Sequence, residues 1–376
     1  MSKNQIAYIY SDELKAECDK VLFMQNRASI VHNLICSYQL LSSPNIFIVA
    51  NRKATEEELK AFHSSSYVDF LKAQNSFDLN LDEINDDHLE YGLAYDCPPF
   101  KTIFDFCLNV AGGSLSAAKV LASKKVQVAI NWFGGWHHAL RDSAVGFCYI
   151  NDVVLAIQFL SKHFQKILYI DLDIHHGDGV QYAFEYSNRI LTLSFHRYEI
   201  GFFPGTGTIE DVGKGKGKFY SLNVPFKSGL NDNSFTRVFK QLFPVVLDSF
   251  KPNAIVLQCG ADGLNGDHVG ECNLTLKGLG NCVKSVLNCN LPTLLLGGGG
   301  YNAPNTARLW TYITAIALNR DVDNDIPDSF EYFSRFGPSY ELNIEAGRKS
   351  DLNNDEYLNS VVETLKSYCG NVAANK

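Results

Sequence analysis

Short apolar runs bounded by turn residues recur along the chain: IAYIY (6–10), IFIVA (46–50), VQVAINW (126–132), KILYIDLD (166–173), ILTLSFH (190–196), FYSLNV (219–224), AIVLQCG (254–260) and TLLLGGGG (293–300). Most are apolar on both alternations, the pattern of parallel strands covered on both faces. Segments of helical period lie between them. In RASIVHNLICSYQLL, the residues Ile30, Val31, Leu34, Ile35, Tyr38 and Leu41 share one helical face, and Thr55 followed by Glu58 has the spacing of a capping box. GGSLSAAKVLA (112–122) and NDVVLAIQFLSKHF (151–164) read as further crossover helices. This alternation predicts an α/β architecture, an open, mainly parallel sheet with helices on both faces. No repeat, low-complexity tract or long linker divides the chain, so residues 1–376 read as a single domain.

A chain of 376 residues that is 46% hydrophobic can bury a large core. No window approaches 18 consecutive apolar residues, and MSKNQIAYIY lacks a charged segment followed by an apolar one, so neither a membrane span nor a secretory signal is expected. The ten cysteines are scattered without a CxxC pair, which reads as reduced thiols in an intracellular protein. The net charge of -8 argues against direct nucleic-acid binding and is compatible with basic partners.

Ligands of open α/β sheets bind beyond the carboxyl ends of the strands, and here every unusual polar cluster follows a strand. VAINW leads into FGGWHHA, ILYIDLD into IHHGDG, LTLSFH into RYEIGFFPGTG, AIVLQCG into ADGLNGDH, and TLLLGGGG into Tyr301 and Asn302. Asp173 and His175, one residue apart past a strand, share a face if the backbone stays extended. Asp262, after another buried strand, is the best carboxylate to complete a three-ligand metal site with a position left open. A lone Asp-x-His is more often a hydrogen-bonded strand end. Five acids and imidazoles within eight residues are harder to satisfy that way, because each unpartnered buried charge costs several kcal/mol.

Two carboxylates and one imidazole neutralise a divalent ion, so water bound there is acidified less than at an all-histidine site and a separate base is needed. His137 and His138 are the candidates, with Asp171 and Asp178 available to orient them. A loop His-His pair is usually surface polarity, but Gly134, Gly135 and Trp136 suggest backbone kept close to something. GGGGY (297–301) fits a backbone that approaches a substrate and presents the Tyr301 hydroxyl to a developing oxyanion. GKGKGK (213–218) lacks the Lys-Ser/Thr ending of a phosphate loop and reads as a basic turn.

WHHA, DLDIHHGDGV, FFPGTG, GADGLNGD and LGGGGYN, in this order and at these separations, closely resemble the zinc-dependent histone deacetylases of class I type. The resemblance runs from about Ala7 to beyond Pro338 and includes RASIVH, YGLAYDCP, GFCYIND and FGPSY; the short chain past about residue 370 matches members without an extended tail. It implies the arginase-deacetylase fold with an eight-stranded parallel sheet. By position it makes Asp173, His175 and Asp262 the zinc ligands. His137 backed by Asp171 and His138 backed by Asp178 become the acid-base pair, and Tyr301 the polariser of an acetyl carbonyl. Phe147 and Phe203, with Gly146, would line a channel for the acyl-lysine stem, and Asp96 would hold the substrate backbone. One potassium ion would sit at Asp171, Asp173, His175, Ser194 and Phe195, a second at Phe184, Ser187, Ile190 and Tyr220. Arg27 matches an arginine of the internal cavity behind the zinc.

The implied reaction is hydrolysis of the acetyl amide of N-acetyl-lysine in histones or other proteins. The histidine pair activates water and His138 protonates the leaving amine. The resemblance further implies inhibition by hydroxamate-type zinc chelators, a nuclear or cytoplasmic location, and neither nucleic-acid nor membrane partners. A long-chain deacylase or acetylpolyamine hydrolase on the same fold is the alternative. An acetyl-lysine-binding scaffold is disfavoured by the intact ligands, bases and tyrosine, and a dinuclear manganese ureohydrolase by Gly177, where a further carboxylate would be needed. The acidic stretch LDEINDDHLE (81–90) is expected to be a solvated loop that draws lysine-rich tails. Two stretches depart from the family. Phe133 stands where a small residue usually precedes GGWHH, and His268 with Val269 replaces the usual Asp-Pro continuation, changes expected to touch substrate or inhibitor preference.

Overall fold

All eight apolar runs are strands: β1 (Ile6–Tyr10), β2 (Ile46–Ala50), β3 (Val128–Asn131), β4 (Ile167–Asp171), β5 (Ile190–Arg197), β6 (Ser221–Phe226), β7 (Ala254–Gln258) and β8 (Thr293–Leu296). The computed structural model describes residues 5–76 and 84–374. The strands form one open sheet in the order β2-β1-β3-β8-β7-β4-β5-β6. Every pairing is parallel, so the expectation of a mainly parallel sheet becomes a wholly parallel one.

The helices are α1 (Asp12–Asp19), α2 (Arg27–Ser37), α3 (Glu56–Leu59), α4 (Ser65–Ala73), α5 (Asp86–Glu90), α6 (Ile103–Ala122), α7 (Asp152–Leu160), α8 (Asp178–Phe184), α9 (Asp232–Phe250), α10 (Leu276–Leu287), α11 (Ala303–Ala317) and α12 (Asp355–Ala374). The capping box is formed, with Thr55 Oγ1 accepting from Glu58 N at 3.2 Å and Glu58 Oε2 accepting from Thr55 N at 3.0 Å. Of the acidic stretch 81–90, residues 81–83 lie outside the described residues and Asp86–Glu90 forms α5. Among the described residues no helix is long and apolar enough to cross a membrane. All ten cysteines are free thiols.

Strand sequences apolar on both alternations bury both faces. Leu168 and Ile170 of β4 join the core on one side with Leu193, Val224 and Leu257, while Ile167 and Tyr169 join the opposite core with Val256 and Leu294. α9 contributes Phe235, Val238, Phe239, Leu242 and Val246 to the first of these, a stripe of helical period. Leu168→Ala should lower stability by about 2–5 kcal/mol through lost burial and the cavity left behind, seen as a lower urea midpoint at unchanged slope.

Register brings the strand ends level. Asn131 pairs with Leu296, Leu296 with Gln258, Gln258 with Asp171, and Asp171 with Ser194. One transverse row thus joins the carboxyl ends of β3, β8, β7, β4 and β5, with neighbouring strands about 4.8 Å apart. The five loops that leave this row have only one place to meet.

Candidate active site

Asp173 and His175 follow β4, and Asp262 follows the adjacent β7. One ligand atom from each lies within 4.8 Å of the others, and all three side chains are buried. The Nδ1 atom of His175 is 2.9 Å from Asp262 Oδ2 and 3.2 Å from Asp173 Oδ1. Sharing does not come from an extended backbone, as the sequence reading supposed, because residues 173–175 form a bend. The bend is held by three hydrogen bonds: Asp171 Oδ1 accepts from Asp173 N at 3.1 Å, Asp173 Oδ1 from His175 N at 3.1 Å, and Asp262 Oδ1 from Ile174 N at 3.1 Å.

Two buried carboxylates and one imidazole are a donor set suited to zinc. Burial opposes charge on all three groups. Even so, Asp262 and Asp173 hold the His175 imidazole up at about 10, while burial and the Asp173 charge push Asp262 up to about 7. His175 and Asp262 are both driven toward holding a proton, while the neighbouring imidazoles keep Asp173 ionised; a divalent cation would supply the positive charge instead. Gly299 allows the close approach, since a Cβ there would lie 2.1 Å from Asp262 Oδ2. Among the described residues no other trio of His, Cys, Asp or Glu converges in this way.

The loop after β3 delivers both imidazoles. His137 Nδ1 lies 2.7 Å from Asp171 Oδ2, and His138 Nδ1 lies 2.7 Å from Asp178 Oδ1. Their environments differ. Burial pulls His137 down, but Asp171 and Asp173 overcome it and hold the ring at about 9. For His138, burial together with the neighbouring His137 outweighs Asp178 and brings it down to about 4. The two rings are thus driven in opposite directions, which fits them for different roles. With centroids 4.0 Å apart the two rings cannot both carry charge cheaply, which adds to burial in lowering His138.

A cavity of about 220 Å³ opens over this cluster, lined by Asp96, Gly146, Phe147, Phe203, Val269 and Tyr301 together with His138 and His175. Phe203 packs edge-on to His138 at 5.0 Å between centroids, and Phe147 edge-on to Tyr301 at 5.4 Å. Gly146 sits at φ +57 between them, where a Cβ would strike the His138 and Phe203 rings at under 3 Å. Asp96, half-buried at the mouth, accepts from Gly146 N at 2.8 Å. Among the described residues the Tyr301 hydroxyl has no hydrogen-bond partner, so it is free to donate to a ligand.

Arg27 is buried and donates to Gly298 O at 2.9 Å and Gly300 O at 3.1 Å, with its guanidinium 5.0 Å from the Trp310 ring. The space behind the trio, lined in part by Trp136, Cys148 and Gly298, is only about 20 Å³. Phe133 is buried below this loop, 6.4 Å from Tyr10 between centroids, and is not part of that lining. His268 is exposed, 6.3 Å from Tyr301, while Val269 takes the channel wall. Ser194 and Phe195 lie in β5, with Ser194 in register with Asp171. Phe184, Ser187 and Ile190 follow one another from α8 into β5, and Tyr220 O accepts from Thr192 N at 2.9 Å beside them.

Several supporting residues escaped the sequence reading. Gln258 Nε2 donates to Asp173 Oδ2 at 2.8 Å, and Tyr169 OH donates to Asp171 Oδ2 at 2.6 Å. Asp152 accepts from Gly135 N and Trp136 N at 3.0 and 2.8 Å, and Asn151 Nδ2 donates to His137 O and Ala139 O. Phe202 stacks on His175 at 5.1 Å, backed by Arg197. A polar atom inside an apolar strand was the available signal for Gln258 and Tyr169, since such atoms need buried partners. For Asp152 and Asn151 the signal was an Asn-Asp pair heading a buried helix.

Comparison with known proteins agrees with this geometry. The histone deacetylase domain model matches residues 22–317. The chain is 44% identical over 365 residues to histone deacetylase 8 of Xenopus tropicalis, covering 96% of each chain. It is 43% identical over 369 residues to histone deacetylase 8 of Danio rerio, covering 98% of this chain and 96% of that one. With histone deacetylase 1 of Homo sapiens it shares 43% over 340 residues, 90% of this chain and 69% of that one. A wholly parallel eight-stranded sheet, a buried Asp-His-Asp trio and this extent of identity together place the chain in the histone deacetylase family, class I type.

Proposed function

We propose that the chain hydrolyses the acetyl amide of N-acetyl-lysine in histones or other proteins, releasing acetate and free lysine, with residues 1–376 acting as one catalytic domain. The observation that carries this reading is the buried trio Asp173, His175 and Asp262 at the floor of a channel flanked by two carboxylate-backed imidazoles. These three side chains would hold zinc, which when bound polarises the acetyl carbonyl and acidifies water.

The remaining work belongs to the chain's own groups. Phe147 and Phe203 sheathe the apolar stem of the lysine and exclude water, with Gly146 leaving room for it, and Asp96 at the mouth grips the substrate backbone. His138, neutral and oriented by Asp178, takes the proton of the attacking water and returns it to the leaving amine. His137, charged through Asp171, steadies negative charge as it develops. Tyr301 donates its hydroxyl proton to the same oxygen. Arg27, bonded to the Gly298 and Gly300 carbonyls, would attract the acetate product as an internal-cavity residue.

Asp171 and Ser194, level across β4 and β5, support a potassium ion shared by Asp171, Asp173, His175, Ser194 and Phe195. The turn from α8 into β5 beside Tyr220 supports a second at Phe184, Ser187, Ile190 and Tyr220. Kinship with histone deacetylases 1 and 8 supports a nuclear role in chromatin and transcription regulation, and inhibition by hydroxamate-type chelators.

Chelation should abolish turnover of an acetyl-lysine peptide and added zinc should restore it, with long-chain acyl-lysine peptides and acetylpolyamines turned over more slowly. Tyr301→Phe should lower kcat by roughly 10²- to 10³-fold, as expected for loss of one oxyanion donor, while zinc content stays at wild-type level. Unchanged turnover in that variant removes the oxyanion role.

A further inference from the structure

Tyr301 follows four consecutive glycines, the backbone with the most conformational freedom, and yet its hydroxyl must meet a carbonyl oxygen within a few tenths of an ångström. Something must fix its position. Arg27 grips the carbonyls of Gly298 and Gly300 on one side. On the other side stands Asp267, a carboxylate only 4% exposed in the loop after β7.

The Oδ2 atom of Asp267 accepts from Tyr301 N at 2.7 Å and from Asn302 N at 3.1 Å. Its Oδ1 atom accepts from Val269 N at 2.9 Å and from Gly270 N at 3.4 Å. One carboxylate therefore ties the tyrosine backbone to the loop whose Val269 side chain forms the channel wall. Tyr301 and Asn302 are also the last residues before α11, where unpaired N–H groups and the helix dipole favour a negative charge. The carboxylate thus bridges the two loops, and it holds the Tyr301 backbone in turn. Charge-assisted bonds of this kind are shorter and stronger than neutral ones.

We propose that Asp267 is a positioning residue for the hydrolysis: it acts through Tyr301, setting where the hydroxyl meets the acetyl oxygen relative to the channel wall. The inference rests on the reading of Tyr301 as the carbonyl-polarising group. Misplacing a reacting group by about 1 Å can cost up to roughly 10²-fold in rate, so a loss of that order is the scale to expect.

The test is a double-mutant cycle on the zinc-loaded protein with an acetyl-lysine peptide, reading kcat, KM and zinc content for Asp267→Asn, Tyr301→Phe and the pair. Asp267→Asn should lower kcat by roughly 10- to 100-fold with KM changed by less than about threefold. In the Tyr301→Phe background the same change should cost less than about threefold, because the hydroxyl it aims is already gone. Amide exchange at residues 301 and 302 should quicken in Asp267→Asn. If Asp267→Asn does not yield folded protein, Asp267→Glu, which keeps the charge on a longer arm, is read in the same cycle. Equal losses in both backgrounds, or a lowered Tm with kcat intact, overturn the proposal and leave Asp267 as a cap of α11. Unchanged kcat in Tyr301→Phe alone removes the underlying reading and the proposal with it.

Discussion

Asp262→Asn is expected to abolish zinc retention and turnover together. Asp262 comes from the loop after β7, while its partners Asp173 and His175 come from the loop after β4, so it is the side chain that closes the trio. With asparagine the amide oxygen still accepts from Ile174 N, where Asp262 Oδ1 accepts at 3.1 Å, so the local backbone keeps its bond. The buried negative charge beside Asp173 is gone, which relieves like-charge repulsion in the metal-free protein and leaves its folding intact. A divalent ion, by contrast, loses one of its two anionic ligands. Lewis-acid stabilisation is worth several kcal/mol, and each 1.36 kcal/mol is tenfold in rate, so kcat/KM should fall by about 10³-fold or more. Zinc content after gel filtration, far-UV circular dichroism and steady-state kinetics on one preparation check this. A variant that kept full zinc and full turnover would remove Asp262 from the metal site.

His138→Ala should be nearly as damaging by a different route, with kcat lower by about 10²- to 10⁴-fold, the usual worth of a positioned general base and acid. Zinc should stay bound, because His138 is not one of the three ligating side chains. The variant also leaves Asp178 buried without its imidazole, at a cost of about 1–3 kcal/mol in stability. His137→Ala should cost less in kcat, since in the proposed mechanism the proton passes through His138 and the His137 ring only steadies developing charge. The two variants separate the roles. If His137→Ala lost more than His138→Ala at equal zinc content, the assignment of base and supporting charge would be reversed.

Much of this arrangement could be read along the chain. Both faces of β4 are buried, so ILYI carries an unbroken apolar signature up to Asp171, and β3 and β7 likewise turn polar only at their last residue. Polar clusters after those strands stood out because a buried core tolerates acids and imidazoles only where partners await them. Asp173, His175, Asp262, His137, His138, Asp171 and Asp178 are candidates on this ground, and the first three converge within 4.8 Å.

The pairing of supporting groups was not legible. Gln258 looked like the end of an apolar run, and Asp267 like one acid in a polar loop. Their roles depend on which strand lies next to which: Gln258 reaches Asp173 because β7 pairs with β4 in a register that sets Gln258 beside Asp171. The bend at 173–175 was equally invisible, because it is made partly by Asp262, 88 positions from Ile174.

Local composition and period thus suffice for the elements and for the chemistry each loop can offer, since burial and hydrogen-bonding demands are carried by neighbouring residues. Which loops face one another, which carboxylate backs which imidazole, and which one bonds the Tyr301 amide are settled only when the order β3-β8-β7-β4-β5 and its level register bring distant side chains within bonding distance. Those properties are sums of short-range forces between groups far apart in the chain, and they take a value only once the chain has closed around them.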